Sequence, residues 1–292
     1  MRNESQDCMS SIRKQSRFTL SDAVKTARFP AILSPLQWQI RKVILAPNFF
    51  AGMRFYKTRT LEQLSDSSHT HEWIYEYFLY RYRFRTSRIV HSHSRWFKRE
   101  NRGFGEPAFH AFWTQLFREY RPVKCLEIGV YRGQTLSLWE ILSREFRLGS
   151  TCYGLSPLSE AGDSASDYPS LDYLEDVRRN FKFWGLDTPR LVRQFSNSSQ
   201  GRSFIGSQRW DLIYIDGGHE YETVLSDYQT ALAALRHGGL LVLDDSSLFD
   251  VPLSYKGSFA GHEGPSRVCN ENAKHDMTHL IRVGHLNTFL KK

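Results

Sequence analysis

The stretch WDLIYIDGGHEYE, residues 210–222, decides the fold. Its first half, Asp211 to Ile215, is too short to span a membrane and too rich in large and β-branched residues for a loop, so it reads as an interior strand. The strand stops at Asp216, where Gly217 and Gly218 let the chain turn tightly before His219. In parallel α/β sheets the ligand crevice opens at the carboxyl ends of the strands. An acid, two glycines and a histidine at that point mark a candidate site.

On either side of this strand, strand-like and helix-like segments alternate. VKCLEIGV (123–130), TCYGL (151–155), PRLVRQF (189–195) and GLLVLDD (239–245) have strand character. TLSLWEILSREF (135–146) places Leu138, Trp139, Leu142 and Phe146 on one helical face, and SLDYLEDVRRNFKFWGL predicts a helix closed near Gly185. Tyr221, Val224, Leu225, Tyr228, Leu232 and Leu235 recur at helical spacing up to Gly238 and Gly239, which suit a helix C-cap. The tail THLIRVGHLNTFLKK has the alternation of a closing hairpin or edge strand. Strands separated by helices of this length predict right-handed crossovers and an α/β, doubly wound, mostly parallel sheet over residues 121–292.

Residues 1–120 form a basic, aromatic-rich region expected to be mainly helical. Their 20 Lys+Arg stand against 10 Asp+Glu, so the whole net charge of +8 comes from this part of the chain. Such an appendage attracts nucleic acid, an anionic membrane surface or a phosphorylated substrate, and charge alone does not choose among them. The segment 21–46 reads as short helices interrupted by Pro30 and Pro35, and EPAFHAFWTQLFREY (106–120) as an amphipathic helix. YFLYRYRFRTSR (77–88) matches both helix and strand templates. The histidine pairs of HTHE (69–72) and HSHS (91–94) read as surface or packing residues rather than metal ligands.

With 40% hydrophobic and 24% charged residues the composition is that of a folded globular protein. The four cysteines, at 8, 125, 152 and 269, make no CxxC pair and no disulfide framework. With no apolar run of about 18 residues and no signal-peptide core, the expectation is a cytoplasmic protein that at most touches a membrane peripherally.

The first strand ends in LEIGVYRGQT, residues 126–135. Gly129 and Gly133 allow a turn that brings backbone N–H groups near a ligand, and Glu127 can accept a hydrogen bond from an ammonium or hydroxyl group. The spacing is not the Gly-x-Gly-x-x-Gly of nicotinamide binders. LEIGVYRGQT, LIYIDGGHEYETVLSDY and GGLLVLDD, in that order on successive strand ends, resemble the class I S-adenosylmethionine (SAM)-dependent methyltransferases. Within them the resemblance is to the branch of macrocin-type sugar O-methyltransferases and cephalosporin-hydroxylase-like proteins. It covers about residues 121–292 and implies a seven-stranded Rossmann-like methyltransferase sheet.

The first motif also resembles the Glu-x-Gly-x-Tyr-x-Gly-x-Ser/Thr pattern of catechol-type O-methyltransferases. By that resemblance Glu127, Gly129, Tyr131, Gly133 and Thr135 line the methionine and ribose part of SAM, with Asp216 beside them. Such enzymes carry an acid for the ribose hydroxyls after the second strand; here Ser156 stands at that point, with Glu160 and Asp163 as acids able to fold back. Ser196 and Ser198 either reach the adenine or serve the turn after the third strand.

Asp216 closes the fourth strand and Asp244 and Asp245 close the fifth, so the sheet is expected to bring three carboxylates together. Such a cluster repels itself unless it gains a proton or a cation, and oxygen donors suit Mg²⁺ or Mn²⁺. The metal-dependent O-methyltransferases use the corresponding acids as metal ligands, which by resemblance assigns Asp216, Asp244 and Asp245 that role. His219 stands as general base, further ligand or structural imidazole. As a base it needs help: deprotonating an alcohol with a pKa near ~15.7 by an imidazole near ~6.5 costs about 12 kcal/mol.

The Gly-, Ser- and Pro-rich segment 246–267, with Lys256 and His262, is expected to lie over the acceptor. The resulting expectation is a SAM-dependent, divalent-metal-assisted O-methyltransferase, forming a homo-oligomer and acting on a small hydroxylated acceptor such as a saccharide or glycosylated natural product. A nucleic-acid (RNA) methyltransferase or binder and a metal-dependent oxygenase are the alternatives.

Overall fold

The computed structural model describes residues 34–37, 39, 40, 56–66, 68–159, 172–250 and 259–292. The expectations for most of 21–46, and those for Glu160, Asp163 and Lys256, lie outside the described residues. Five parallel strands, β1 (Lys124–Ile128), β2 (Thr151–Leu155), β3 (Arg190–Val192), β4 (Trp210–Ile215) and β5 (Leu235–Leu243), are joined by helical crossovers. The hairpin of β6 (Thr278–Val283) and β7 (Leu286–Leu290) completes a seven-stranded sheet of order β3-β2-β1-β4-β5-β7-β6. β7 runs antiparallel to both of its neighbours, β5 and β6, as the period-two tail predicts.

β1 and β4 are neighbours in register, with Ile128 opposite Ile215, and β4 pairs with β5, with Ile215 opposite Leu243. The residues that follow these three strand ends therefore share one edge of the sheet. Gly129 is required there for a steric reason: at φ +97° a Cβ would lie 1.9 Å from the Asp216 carbonyl oxygen. Its N–H is already donated to Leu155 O at 2.9 Å, so its function is to seat β1 against β4 rather than to offer a donor.

Helices cover both faces. On one side α1 (Leu61–Ser65), α2 (His71–Arg85), α3 (Arg88–Lys98), α4 (Pro107–Tyr120), α5 (Gln134–Phe146) and α6 (Tyr173–Phe183) pack in one hydrophobic cluster that includes Phe78, Phe112, Trp139 and Tyr214. On the other, α7 (Ser199–Gly206), α8 (Tyr221–Ala234) and α9 (Glu263–Val268) enclose Trp210, Ile213, Tyr228 and Phe289. Helices α1 to α4 thus share a core with the sheet.

The ambiguous 77–88 segment resolves as the second half of α2, up to Arg85, followed by the Thr86–Ser87 link and the first residue of α3. Ile74, Tyr77, Phe78 and Arg81 follow helical spacing and are buried, while Arg83 and Arg85 are exposed in the last turn, where cations complement the helix dipole. Arg81 keeps its charge inside by donating to Thr58 Oγ1 at 3.0 Å.

One boundary differs from expectation. α8 ends at Ala234, and Gly238 and Gly239 belong to β5 rather than to a helix cap. Gly238, at φ +69°, makes an irregular bend where the β4–β5 register shifts, and its N–H donates to Lys291 O. No helix among the described residues is long and apolar enough to cross a membrane.

Candidate active site

Glu127 ends β1 as a buried carboxyl. Burial raises its pKa to about 8, against the hydrogen bonds from Thr135 and the Leu136 backbone that lower it; Asp244 adds to the rise. Its Oε2 has no hydrogen-bond partner among the described residues. A protonated, half-satisfied carboxyl in a buried position is costly unless a cationic donor completes it. Tyr131, in the turn after β1, stacks on Phe104 with ring centroids 5.6 Å apart. Gly133, at φ +77°, caps α5 where Val177 and Phe181 leave little room for a side chain.

The serines are occupied by the turns that carry them. Ser156 Oγ donates to Val130 O at 3.2 Å and accepts from Leu158 N at 3.3 Å, tying the ends of β1 and β2 together. Ser196 Oγ donates to Asp227 Oδ2 at 2.9 Å, and Ser198 caps α7 by accepting from Gly201 N. Burial lifts Asp227 to about 7 against that bond from Ser196.

The three strand-end acids do come together. Tyr214 Oη lies 3.0 Å from Asp216 Oδ2 and 2.5 Å from Asp244 Oδ2, so one phenol bridges the ends of β4 and β5. Burial, then the charges of Asp244, Asp245 and Glu127, drive the Asp216 carboxyl well above the usual carboxylate range. Asp244 goes the other way. Burial pushes it up, but the His285 ring and the hydrogen bonds it accepts outweigh this and hold it at about 2.

His285 is the site residue that the sequence does not single out. It sits in the β6–β7 turn, and the antiparallel pairing of Leu243 with Asn287 returns that turn to the end of β5. Asn287 Nδ2 locks it by donating to Ser246 O at 3.1 Å and Ser247 Oγ at 2.9 Å. His285 Nε2 is then 3.2 Å from Asp244 Oδ1 and 3.7 Å from Asp245 Oδ1. Burial alone lowers an imidazole, yet these carboxylates raise this one to about 9. A histidine in a hairpin turn carries no local signal; only the strand order reveals it.

The second oxygen of Asp245 faces the opposite way, 3.2 Å from His219 Nε2 and 3.8 Å from His262 Nε2. The two imidazoles stack with centroids 3.9 Å apart and planes 19° from parallel. Burial, then the His219 ring, lowers the pKa of His262. Asp216, Gly217, Gly218, His219, Asp244, Asp245 and Pro265 bound a recess of about 10 Å³, close to the room needed by one water or one ion. The other histidine pairs pack: His69 stacks on Trp73, and His91 and His93 are buried in α3.

The family model described as "Methyltransferase domain" matches residues 126–246, from the middle of β1 to just past the β5 acids. No curated protein matches the sequence. The SAH-bound methyltransferase PaMTH1 of Podospora anserina superposes with a TM-score of 0.50 at 14% identity, over 71% of this chain and 89% of that one. An O-methyltransferase of Bacillus cereus in complex with SAH gives a TM-score of 0.47 at 17% identity, over 70% of this chain and 92% of that one. The MycE methyltransferase of the mycinamycin biosynthetic pathway, solved with Mg, SAH and mycinamycin VI, gives 0.44 at 19% identity, over 69% and 54%.

Proposed function

We propose, from the premise that residues 126–246 are a methyltransferase domain, that the chain is a SAM-dependent O-methyltransferase whose acceptor is a small hydroxylated molecule of the saccharide or glycosylated natural-product class. The observation that carries this reading is the convergence, on one edge of the sheet, of Glu127 with its unpartnered Oε2 and of Asp216, Asp244, Asp245 and His219.

Glu127 accepts from the ammonium of the methionine moiety and loses its proton as it does so. The β1–α5 turn from Gly129 to Thr135 wraps the same moiety, with Tyr131 as its apolar wall. Because the Ser156 and Ser196 hydroxyls are spent on turns, the ribose and adenine are held by other groups. When bound, the cofactor would supply an electrophilic sulfonium methyl for the acceptor oxygen. In-line positioning of such partners is worth ~7–11 kcal/mol.

The acceptor proton goes to His219. Asp245 Oδ2 accepts the Nε2 proton of His219, which fixes the tautomer and leaves the Nδ1 lone pair as the base. The acid cluster fits a divalent cation, because crowding already makes Asp216 retain a proton that a cation would replace. Asp216, Asp244 and Asp245 are the residues that hold it. There the cation supplies a lower pKa for the acceptor hydroxyl, the help that an unaided imidazole lacks.

The test is transfer of an isotopically labelled methyl group from SAM to a panel of saccharides and simple alcohols, with and without EDTA. Labelled ether products that disappear with EDTA support the reading. Labelled RNA and unlabelled small molecules would favour the nucleic-acid alternative.

A further inference from the structure

Asp245 is shared between two sets of donors. Its Oδ1 faces Asp244 and His285, while its Oδ2 faces the Nε2 atoms of His219 and His262 at 3.2 and 3.8 Å. These three donors, two imidazole nitrogens and one carboxylate oxygen, all lie within 4.8 Å of one another. Ligands bound to zinc at ~2.0–2.1 Å in a tetrahedron are about 3.3 Å apart, so the donors stand near ligand spacing, and the stacked rings must swing apart to point both lone pairs at one ion. Two imidazoles and one carboxylate select first-row transition metals over Mg²⁺, which prefers oxygen and keeps its water.

The second imidazole is anchored for this place. His262 N donates to Asp245 O at 2.8 Å and Ser247 N to Ala260 O at 3.0 Å, pairing the two backbone segments. Gly261 makes that approach possible, since a Cβ there would lie 2.0 Å from Asp245 O. Gly264 closes the other side, with room for no side chain against the His219 carbonyl oxygen. The backbone that carries His262 is thus held against Asp245 and His219, and the two rings stack with their Nε2 atoms turned to the same carboxylate oxygen. Nothing in the proposed methyl transfer uses His262.

We propose that His219, His262 and Asp245 Oδ2 bind a transition-metal ion of the zinc class, with water in the remaining position, and that this ion switches the transferase off. The second half rests on the reading of His219 as the base. An ion on Nε2 forces the imidazole proton onto Nδ1, the atom that must accept the acceptor's proton, so the occupied site has no base. Asp244 and His285 are not part of this site.

The experiment is calorimetric titration of the full chain with Zn²⁺ in excess Mg²⁺, for wild type, His262→Gln, His262→Cys and Asp244→Asn. One equivalent of zinc binding that Mg²⁺ does not displace is expected in wild type and Asp244→Asn. The affinity should be about 100-fold weaker or worse in His262→Gln, and regained with the thiolate ligand of His262→Cys. Thermal unfolding of His262→Gln in parallel shows that it remains folded. Zinc binding unchanged in His262→Gln, or lost in Asp244→Asn, overturns the site. In turnover, stoichiometric Zn²⁺ should silence wild type and leave His262→Gln active. Inhibition of both alike overturns the switch, and an absence of any methyl transfer removes the switch while the zinc titration still decides the site.

Discussion

Two groups of histidines, one inside the helical layer and one at the strand ends, behave as opposites. In the helical layer, His93 Nδ1 lies 3.3 Å from His110 Nε2, and His93 Nε2 lies 2.9 Å from Ser137 Oγ. Burial, with no carboxylate to offset it, holds His93 well below the ordinary imidazole range and His110 at about 4. At the strand ends His285, whose side chain keeps about 12% of its surface exposed, is lifted to about 9 because Asp244 and Asp245 face it. Burial makes an imidazole neutral and structural; burial beside carboxylates makes it charged and leaves its neighbours ready to exchange protons for cations. The pocket is the part of the molecule where polar groups are gathered at the expense of stability, and the helical layer is the part that supplies stability.

The largest expected effect separates these roles. His219→Ala should lower kcat by about 10²–10⁴, the usual worth of a general base, with cofactor affinity within about twofold of wild type. Asp244→Asn should lower turnover comparably and abolish its response to added cation. Full activity in both variants would break the distinction from the pocket side. From the other side, Phe112→Ala, in the middle of the helical core, should cost about 3–5 kcal/mol in denaturant unfolding while activity per folded molecule stays unchanged.

The two regions should also answer pH with opposite signs. His285 binds its proton more tightly folded than unfolded, so its contribution is complete below pH 6.5 and is lost as pH rises through about 9. Glu127 acts in the same direction, losing stability as pH rises from 4.5 through about 8. Each amounts to roughly 3–5 kcal/mol in metal-free protein at 1.36 kcal/mol per unit. His110 costs stability instead as pH falls from 6.5 through about 4, where the unfolded chain takes up a proton that the folded one refuses. Metal-free unfolding followed from pH 4 to 9 should show His285→Gln flattening the alkaline limb and His110→Gln the acidic one. A common response of both variants would contradict the contrast. The smallest expected effect is that of His93→Ala, about 1–3 kcal/mol from leaving His110 Nε2 without its buried partner, while Ser137 Oγ keeps its bond to Gly133 O.

The parallel strands and the three-acid edge were legible in the sequence because parallel strands buried on both faces read as apolar runs, and each site strand here ends on an acid or glycine. Asp216, Asp244 and Asp245 needed only the adjacency of β4 and β5 to meet. His285 was not legible, since its place depends on a hairpin returning antiparallel to β5, a long-range pairing with no trace near residue 285. Ser156 and Ser196 show the reverse limit: a hydroxyl at the right strand end looks free until the turn it closes is known. The Gly238–Gly239 pair has the composition of a helix cap, and tertiary pairing with Lys291 made it a strand bend. His262 lay in a segment expected over the acceptor, and the backbone pairing of Asp245 with His262 fixes it against the site instead.

The most direct measurement is calorimetric titration of SAM into the protein near pH 7, in two buffers of different ionisation enthalpy. Glu127 holds a proton there and must lose it to solvent before it can accept from an ammonium, so binding should release about one proton, and Glu127→Gln should abolish the release and weaken binding. Tight binding with no proton released, or no binding at millimolar SAM, would contradict the assignment of the strand-end cleft to the cofactor.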